Sequence, residues 1–372
     1  MSASLRRLGL VLLAVWIGLA GAAGAEAPLK PPFDLAKVRA EQGKPAKKKF
    51  RCGAVPPSVR SVETESKYAP GTGSTVIDPQ RAAVYDKLKN RLRRFTGPVV
   101  RLANAYVRSQ PADPRIAACA VSWLATWARL DAAKDPQDRR GDAVRAQLLS
   151  IVALAYVQVR DEPTLAPDER RTVEAWLRRL ASRVQSDYSE GADLPSRRNN
   201  HRYWAGWAVM TAAVALDDRQ FYDWALSSAE LGIDSITADG FLPLELERKQ
   251  RSLGYHFYAA EPLVLLAETA LANGTDLYAR NDGAIVRLVE RSVAGWSDPA
   301  DFAARTGIDQ DLGFIKNGGK IAWALILAHR FPVIDVAAWH TQYSSFTSLA
   351  AGGDVQLLYL DPADKQPDPP AQ

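Results

Sequence analysis

The chain has 372 residues, 47% of them hydrophobic and 24% charged, and a formal net charge of +5. This composition is typical of a globular protein and excludes collagen-like, low-complexity and broadly disordered chains. The excess of positive charge favours a polyanionic partner, which could be nucleic acid or an acidic polymer of another kind.

The first 25 residues are predicted to be a secretory signal peptide. Arginines at positions 6 and 7 precede an uncharged run over residues 8–20, and Ala23-Gly24-Ala25 follow as a cleavage site. The run is short for the roughly 20 residues that a membrane span needs. We therefore expect cleavage after Ala25, export to the periplasm and no membrane attachment afterwards, with an uncleaved anchor as the alternative.

Export bears on the choice of partner and on the two cysteines. An exported protein rarely meets nucleic acid, and the basic residues form no nucleic-acid-binding motif, so an acidic polysaccharide fits better. In an oxidising compartment Cys52 and Cys119 can form one disulfide, with two unpaired thiols as the alternative. Neither cysteine has a partner at metal-ligand spacing, and the four histidines show no HxxxH pattern. We expect neither a metal nor another cofactor.

The chain after the signal divides into an arm and a helical region. Residues 26–60 contain two Pro-Pro pairs and a run of three lysines, and are predicted to be an irregular arm. From Pro79 onward, apolar residues recur at helical spacing, first at Val84, Leu88 and Leu92. Further helices are predicted near residues 142–160, 166–186, 200–216, 219–233, 257–273, 282–294 and 318–332. Only residues 355–360 resemble a short extended segment.

These patterns predict an all-α fold with a single domain over residues 61–360. No linker interrupts residues 79–331, and the Pro- and Asp-rich tail 361–372 is predicted to be disordered. The helices could form a bundle, a solenoid or a ring of helical hairpins. A solenoid would show a sequence repeat of 20 to 50 residues, and none is visible. An incomplete toroid of antiparallel helix pairs around an aromatic groove is therefore favoured.

The segment Asn199–Trp207 is the least ordinary part of the sequence. It contains two amides, an imidazole, a guanidinium and three aromatic rings at a predicted helix start, where Asn is a good N-cap. On a helix, Asn200, Trp204 and Trp207 would share one face, with His201 beside them. A capped helix whose aromatic rings belong to the core is the alternative.

A second polar segment, residues 245–256, follows the predicted turn at Asp239-Gly240. Arg248 and Tyr255 lie seven residues apart, so a continuous helix would place them two turns apart on one face, which could line a groove. The other charges are interpreted as surface ion pairs at i,i+4 spacing, namely Glu245 with Lys249 and Glu247 with Arg251.

Together the two segments contain the residue types that β-elimination on a polyuronate requires. The C5 proton of a uronate is very weakly acidic while the neighbouring carboxylate is ionised, and Asn and Arg donors can stabilise the charge that develops there. A base must then remove the proton and an acid must protonate the departing O4. His201 and Tyr255 are the candidates for these two roles.

The sequence resembles the alginate lyases of polysaccharide lyase family 5. The resemblance covers about residues 50–325, in the order of the family's motifs. It rests on Ser122-Trp123-Leu124, Trp127-Ala128-Arg129, Asn199–Trp207, Phe221 with Asp223-Trp224-Ala225, Gly240-Phe241-Leu242-Pro243 running into Arg248, Gln250, Arg251 and Tyr255-His256, and Thr306-Gly307 with Asp309-Gln310-Asp311.

The resemblance implies an incomplete α/α toroid, secretion to the periplasm and eliminative cleavage of β-D-mannuronate links without a metal. Carried over by position, Asn200 and Arg248 would neutralise the carboxylate with His201 beside them, and Tyr255 would protonate O4. In mannuronate the C5 proton and O4 lie on the same side of the ring. One tyrosine could therefore serve both steps, and the base is His201 or Tyr255.

The resemblance also implies substrate contacts around this quartet. Ser66-Lys67-Tyr68 and the following Ala69–Gly73 resemble the family's mobile lid, with a plain flexible connector as the alternative. Lys67 and Tyr68 would close over bound sugar. Three further residues complete the expected substrate contacts, namely Trp204, Arg251 and His256. Cys52 and Cys119 match a disulfide of the family.

The chain departs from the family after Trp323. There the family has a Glu-Pro-Tyr-like segment, whereas this chain has the apolar run Ala324-Leu325-Ile326-Leu327. The departure leaves the far subsites and the preferred chain length open.

Three functions are consistent with these observations. The first is a lyase for mannuronate-rich alginate, and the second a lyase for a glucuronate-containing exopolysaccharide, since the quartet would tolerate an epimer. The third is a non-catalytic protein that binds acidic polysaccharide. We expect a monomer, with a polysaccharide export complex as a candidate partner.

Overall fold

The structure is a computed structural model that describes residues 27–45, 49–135, 139–191, 193–332 and 336–361. The predicted signal peptide and residues 362–372 of the predicted tail lie outside the described residues. The helices are α1 (Leu35–Gln42), α2 (Pro79–Arg108), α3 (Pro114–Arg129), α4 (Arg139–Val157), α5 (Pro167–Ser189), α6 (Asn200–Leu216), α7 (Arg219–Asp234), α8 (Pro243–Leu246), α9 (Ser252–Ala272), α10 (Ala284–Ser297), α11 (Ala300–Thr306), α12 (Ala322–Arg330), α13 (Ala337–Gln342) and α14 (Val355–Leu358). The strands β1 (Thr347–Ser348) and β2 (Gly353–Asp354) form one antiparallel pair.

The long helices pack as consecutive pairs in two layers. Helix α2 packs against α3, α4 against α5, α6 against α7, and α9 against α10. The first members of these pairs also pack against one another in the order α2, α4, α6, α9, and so form an inner layer. This arrangement is an incomplete α/α toroid, and it confirms the all-α prediction.

Aspartate and proline define where several helices begin. Asp78, Asp113 and Asp218 are the N-caps of α2, α3 and α7, and their carboxylates accept hydrogen bonds from backbone N–H groups of the first turn. Helices α2, α3 and α5 have a proline in the first turn, where its missing N–H costs no helical hydrogen bond.

Helix α6 is the central element of the inner layer. It packs against α4, α5, α7 and α9, and side chains on all of its faces are buried. Its small residues allow this close packing: a Cβ added at Gly206 would lie 2.6 Å from the Cβ of Ser228 on α7. The packing fixes the N-terminal turn of α6, which carries Asn200 and His201.

The arm and the C-terminal segment differ from the predictions. The arm contains the helix α1, which Asp34 caps, so it is not irregular throughout. Residues 355–358 form α14 where an extended segment was expected; Asp354 caps this helix through the N–H of Leu357.

A disulfide and two hydrogen bonds attach the arm to α3. Cys52 is bonded to Cys119, and the indole N–H groups of Trp123 and Trp127 donate to the carbonyls of Gly53 and Pro56. Among the described residues, none of the helices has the length and apolarity to span a bilayer.

Candidate active site

Asn200 lies at the start of α6, where it is fully buried and held by Glu245. Asn199 is the N-cap of the helix, and its side chain accepts a hydrogen bond from the N–H of His201 at 3.1 Å. Oε1 of Glu245 accepts two hydrogen bonds from Asn200, from the backbone N–H at 2.9 Å and from Nδ2 at 2.7 Å. Nδ2 keeps a second hydrogen that can bind a ligand.

Arg248 shares the same carboxylate. Its Nε lies 3.5 Å from Oε2 of Glu245, and its side chain is 15% exposed. Its guanidinium lies over the ring of Tyr255, 4.8 Å from the centroid. One buried acid therefore holds both the amide and the guanidinium that are expected to receive a substrate carboxylate. Burial raises the pKa of Glu245, and Arg248 and Asn200 counteract that rise.

The backbone between Glu245 and Tyr255 corrects two predictions. It is not a continuous helix, because α8 ends at Leu246, a 3₁₀ turn spans Lys249–Arg251, and Lys249 has a φ of 51°. The interpretation of Glu245 as a surface ion-pairing residue is also wrong, since it is 1% exposed and bonded to Asn200. Arg248 and Tyr255 nevertheless meet, because the turn folds the guanidinium back over the first turn of α9.

Tyr255 lies on the first turn of α9 with its hydroxyl 2.7 Å from the hydroxyl of Tyr68. Burial raises the pKa of Tyr255 above its ordinary value and the Tyr68 hydroxyl raises it further, while Arg248 and Arg251 act in the opposite direction. The phenol is therefore protonated at neutral pH, which is the form that can donate a proton.

Tyr68 belongs to the hairpin 67–78, which covers the site. Antiparallel backbone bonds join Ala69 N–H to the Val76 carbonyl at 3.0 Å and Asp78 N–H to the Lys67 carbonyl at 3.0 Å. The hairpin contacts the 248–250 turn, since Arg248 donates to the Gly73 carbonyl at 3.4 Å and Gln250 to the Thr75 carbonyl at 3.0 Å. The predicted lid segment thus lies against the catalytic candidates.

Two basic side chains stand over the ring of Tyr68. The ammonium of Lys67 lies 5.3 Å from the ring centroid, and the guanidinium of Arg251 lies 5.0 Å from it. Both contacts are at cation–π distance. The structure therefore brings Lys67, Tyr68 and Arg251 together with Tyr255.

The N-terminal parts of α6 and α9 contact each other through aromatic rings. Trp204, one turn after Asn200, packs against Tyr258 with ring centroids 5.0 Å apart, and its indole N–H donates to the Tyr258 carbonyl at 3.1 Å. The ring of Tyr258 lies 6.2 Å from that of Tyr255. His201 is half-buried on the first turn of α6, next to Asn200. Trp207 is fully buried and bonded to the Ala350 carbonyl, so it belongs to the core.

His256 is not placed where a sugar could reach it. It is fully buried; Nδ1 bonds to the Ser252 carbonyl at 2.9 Å, and Nε2 accepts from the N–H of Leu242 at 2.9 Å. Burial lowers the pKa of His256 to about 4. The expectation of a substrate contact is therefore corrected, because both ring nitrogens already bond to the backbone around the site.

Sequence reasoning missed Glu245 and Tyr258. Glu245 could have been suspected from its place three residues before Arg248, but the assumed helix directed it to the surface. Tyr258 had no signal apart from its position one turn after Tyr255. Within the described ranges, no three His, Cys, Asp or Glu side chains gather into a group that could hold a metal ion.

Comparisons with known proteins identify the family to which the chain belongs. The family model for alginate lyase matches residues 43–302. An alginate lyase of Cobetia marina is 34% identical over 361 residues, covering 93% of each chain. One of Pseudomonas fluorescens (strain SBW25) is 33% identical over 373 residues, covering 96% of this chain and 97% of the relative. The crystal structure of alginate lyase A1-III from Sphingomonas species A1 superposes with a TM-score of 0.76 at 25% identity, covering 90% of this chain and 98% of that one. The chain belongs to the alginate lyase family.

Proposed function

We propose that this protein cleaves mannuronate-rich alginate by β-elimination and leaves an unsaturated uronate at the new end. Membership of the alginate lyase family supports lyase activity on alginate. The observation that carries the proposal is the position of Arg248: it shares Glu245 with Asn200 and stands 4.8 Å over the ring of Tyr255. A carboxylate receptor and a proton donor are thereby joined in one site.

The first step is recognition of the carboxylate of the reacting sugar. Arg248 and the second Nδ2 hydrogen of Asn200 can donate to it, and both side chains are largely withdrawn from water. In such a site, donors that are already oriented stabilise developing charge more than they would in water. As the C5 proton leaves, negative charge spreads onto the carboxylate, and these donors lower the barrier.

The second step is bond cleavage. A base takes the C5 proton, the electron pair of the C–H bond forms the C4–C5 double bond, and the C4–O4 bond breaks. The protonated phenol of Tyr255 then gives its proton to O4. His201, beside Asn200, is one candidate for the base, and Tyr255 is the other if it has first lost its proton. The pH profile of a variant that lacks the His201 imidazole distinguishes the two candidates. If the rate of this variant still falls at acidic pH, His201 is not the base.

We also propose that the protein acts in the periplasm. The arginines and the apolar run at the N-terminus support export. A disulfide between Cys52 and Cys119 is consistent with an oxidising compartment.

The function is tested by incubating the purified protein with polymannuronate, polyguluronate and glucuronan and following the ultraviolet absorbance of the unsaturated product. We expect the fastest reaction with polymannuronate. Faster cleavage of glucuronan would identify the enzyme as a glucuronate lyase. No absorbance with any of the three would contradict catalysis and favour a binding protein.

Tyr255→Phe tests the proton donor. The variant should lose at least about 10²-fold in kcat, the scale of one general acid or base, and should still bind polymannuronate. Tyr278→Phe is the matched control, because it removes a buried hydroxyl bonded to Glu268, outside the proposed site. Equal activity of the two variants would exclude Tyr255 as the donor.

A further inference from the structure

A chain of polar contacts extends from the aromatic rings beside Tyr255 to the wall formed by α2 and α4, and the elimination step does not use it. Gln147 on α4 donates from Nε2 to the hydroxyl of Tyr258 at 2.8 Å. Lys89 on α2 donates from Nζ to Oε1 of the same amide. Three helices of the inner layer thus each contribute one side chain.

This chain of polar contacts begins inside the proposed active site, at Tyr258. The ring of Tyr258 packs against Trp204 and lies edge-on to Tyr255. The other end of the chain of polar contacts is accessible to a ligand, since the side chains of Lys89 and Gln147 are half-buried. Within the part of the protein that the structure describes, Lys89 donates one hydrogen bond, to Gln147. An ammonium group has three hydrogens, so two are left for a ligand.

The electrostatic surroundings of Lys89 are strongly positive. Lys67 from the hairpin, Arg93 from α2, and Lys320 from the turn before α12 all act on it, and Asp86 is the acid that opposes them. Burial first, and then these three cations, lower the pKa of Lys89 to about 8. The phenol of Tyr258 faces the same amide. Burial raises the pKa of Tyr258 well above its ordinary value, and Tyr85, Tyr255 and Glu261 raise it further. Glu261 also acts on Tyr258 and is paired electrostatically with Lys320, but the charges that act on Lys89 are three cations against one acid, which favours an anionic ligand.

We propose that Lys89 and Gln147 form a substrate-positioning subsite that binds the carboxylate of a second uronate in the same polymer, adjacent to the sugar that reacts. Each sugar of a polyuronate has a carboxylate, and a charge-assisted hydrogen bond to an ammonium group is among the stronger polar contacts. Gln147 orients the ammonium and connects it to the ring of Tyr258. The inference rests on the proposed polyuronate lyase function.

The subsite makes substrate binding depend on pH with a definite sign. A bound carboxylate favours the charged form of Lys89, because it offsets part of the repulsion from the neighbouring cations. The pKa of Lys89 therefore rises on binding. Below about pH 8 the free protein already carries this charge, and affinity is highest. As the pH rises above 8, the free protein loses the proton and affinity falls.

Lys89→Met tests the subsite, with Lys87→Met as the matched control. Lys87 lies on the same helix and is exposed, so its replacement removes the same charge without touching the network. With polymannuronate as substrate at pH 7, Lys89→Met should raise KM about tenfold and change kcat less than about threefold, on the scale of one charged hydrogen bond. The control should match the wild type.

Lys89→Arg supplies the charge test. Arginine stays protonated between pH 7 and 9.5. The KM of Lys89→Arg should therefore be constant over this range, whereas the KM of the wild type rises. Gln147→Leu should also raise KM, and this variant tests the subsite if Lys89→Met does not fold. An unchanged KM in both Lys89→Met and Gln147→Leu would overturn the subsite.

Calorimetric binding of polymannuronate separates the failure of this inference from failure of the proposed function. If the wild type cleaves polymannuronate and Lys89→Met binds it as tightly as Lys87→Met does, the subsite is wrong and the lyase function stands. If the wild type cleaves no uronate polymer, the lyase function is wrong. Weaker binding by Lys89→Met alone would then still support a carboxylate subsite.

Discussion

The buried carboxylate of Glu245 connects the two halves of the proposed carboxylate receptor. Oε1 binds the backbone and side chain of Asn200, and Oε2 faces Nε of Arg248. Neither Asn200 nor Arg248 can shift without losing a contact to this acid. Glu245 is thus a positioning residue in the proposed mechanism, since it orients the two groups that are proposed to bind the substrate carboxylate.

Glu245→Gln should lower kcat by about 100-fold, the cost of a displacement on the order of 1 Å in a reacting group. The amide keeps an acceptor for Asn200 but removes the charge that holds Arg248. Glu247→Gln is the control, because Glu247 is exposed and carries the same charge two residues away. Steady-state kinetics on polymannuronate measures the effect; a kcat near that of the control would contradict the positioning role.

His256 should contribute to stability with a specific pH dependence. Its pKa is lowered to about 4 in the folded protein, below the 6.5 of an ordinary histidine. The unfolded chain therefore binds the proton first, and the folded state loses stability as the pH falls from 6.5 toward 4. The loss from this group is about 3 kcal/mol.

The measurement compares chemical unfolding of the wild type and of His256→Gln at several pH values. The wild type should be more stable at pH 7, and the difference should shrink as the pH approaches 4. KM for polymannuronate should change little in the variant. A large increase in KM with unchanged stability would restore the substrate-binding role that the buried ring argues against.

The sequence allowed the candidate site residues to be named, but it did not predict their burial or their hydrogen-bond partners. Asn200, His201, Arg248 and Tyr255 stand out because polar and aromatic side chains are concentrated around them. Burial of Glu245 and His256 could not be predicted, because the left-handed Lys249 and the 3₁₀ turn Lys249–Arg251 interrupt the expected helix between them. No glycine or proline marks that turn, and the local pattern favours a helix.

At the scale of elements, the hairpin 67–78 depends on a few contacts with the turn opposite it. The bonds from Arg248 to Gly73 and from Gln250 to Thr75 both end on backbone carbonyls. Gly71 and Gly73 have φ values of 76° and 59°, which a glycine adopts without strain. The hairpin can therefore separate from the turn by breaking few bonds, as a lid over a polymer requires.

Gln250→Ala should raise KM about fivefold and leave kcat almost unchanged, since one neutral hydrogen bond between hairpin and turn contributes about 1 kcal/mol. Gln80→Ala provides the control: Gln80 is exposed at the start of α2, directly after the hairpin. Both variants are assayed on polymannuronate. If Gln250→Ala behaves as the control does, the closed hairpin does not contribute to substrate binding.

At the scale of the whole molecule, the disulfide closes a long loop between the arm and α3. The bonded cysteines are 67 residues apart, and Trp123 and Trp127 hold the same arm by hydrogen bonds. Val59 and Val62 of this segment are buried in the core. The disulfide thus holds the arm against α3, whereas Asn200 and Tyr255 lie on α6 and α9.

The double variant Cys52→Ser/Cys119→Ser should lose about 4 kcal/mol of unfolding free energy, the chain-entropy value for a loop of this length. Its kcat should stay close to that of the wild type. Urea unfolding and an activity assay provide the two measurements. A loss of activity in a variant that is still folded would show that the arm influences the site.

The global fold could be predicted because helical periodicity extends over most of the chain. Helix α6 begins and ends where its pattern predicts, at Asn200 and Leu216. The predicted extended segment 355–360 was wrong over residues 355–358, because six residues with a mixed apolar and polar pattern are too few to distinguish a strand from a helix. The order of packing of the inner helices depends on contacts distant in sequence, which no local pattern encodes.

The packing of α6 between four other helices has a consequence for local opening. Amide hydrogens of a helix surrounded by other helices exchange with solvent only when large parts of the protein unfold, whereas those of a two-stranded hairpin exchange through small fluctuations. Deuterium uptake should therefore be slowest along α6 and much faster in the backbone around Thr72. The opening rates of α6 and of the hairpin 67–78 would then differ by orders of magnitude, and Asn200 and His201 are fixed on the element that opens slowly.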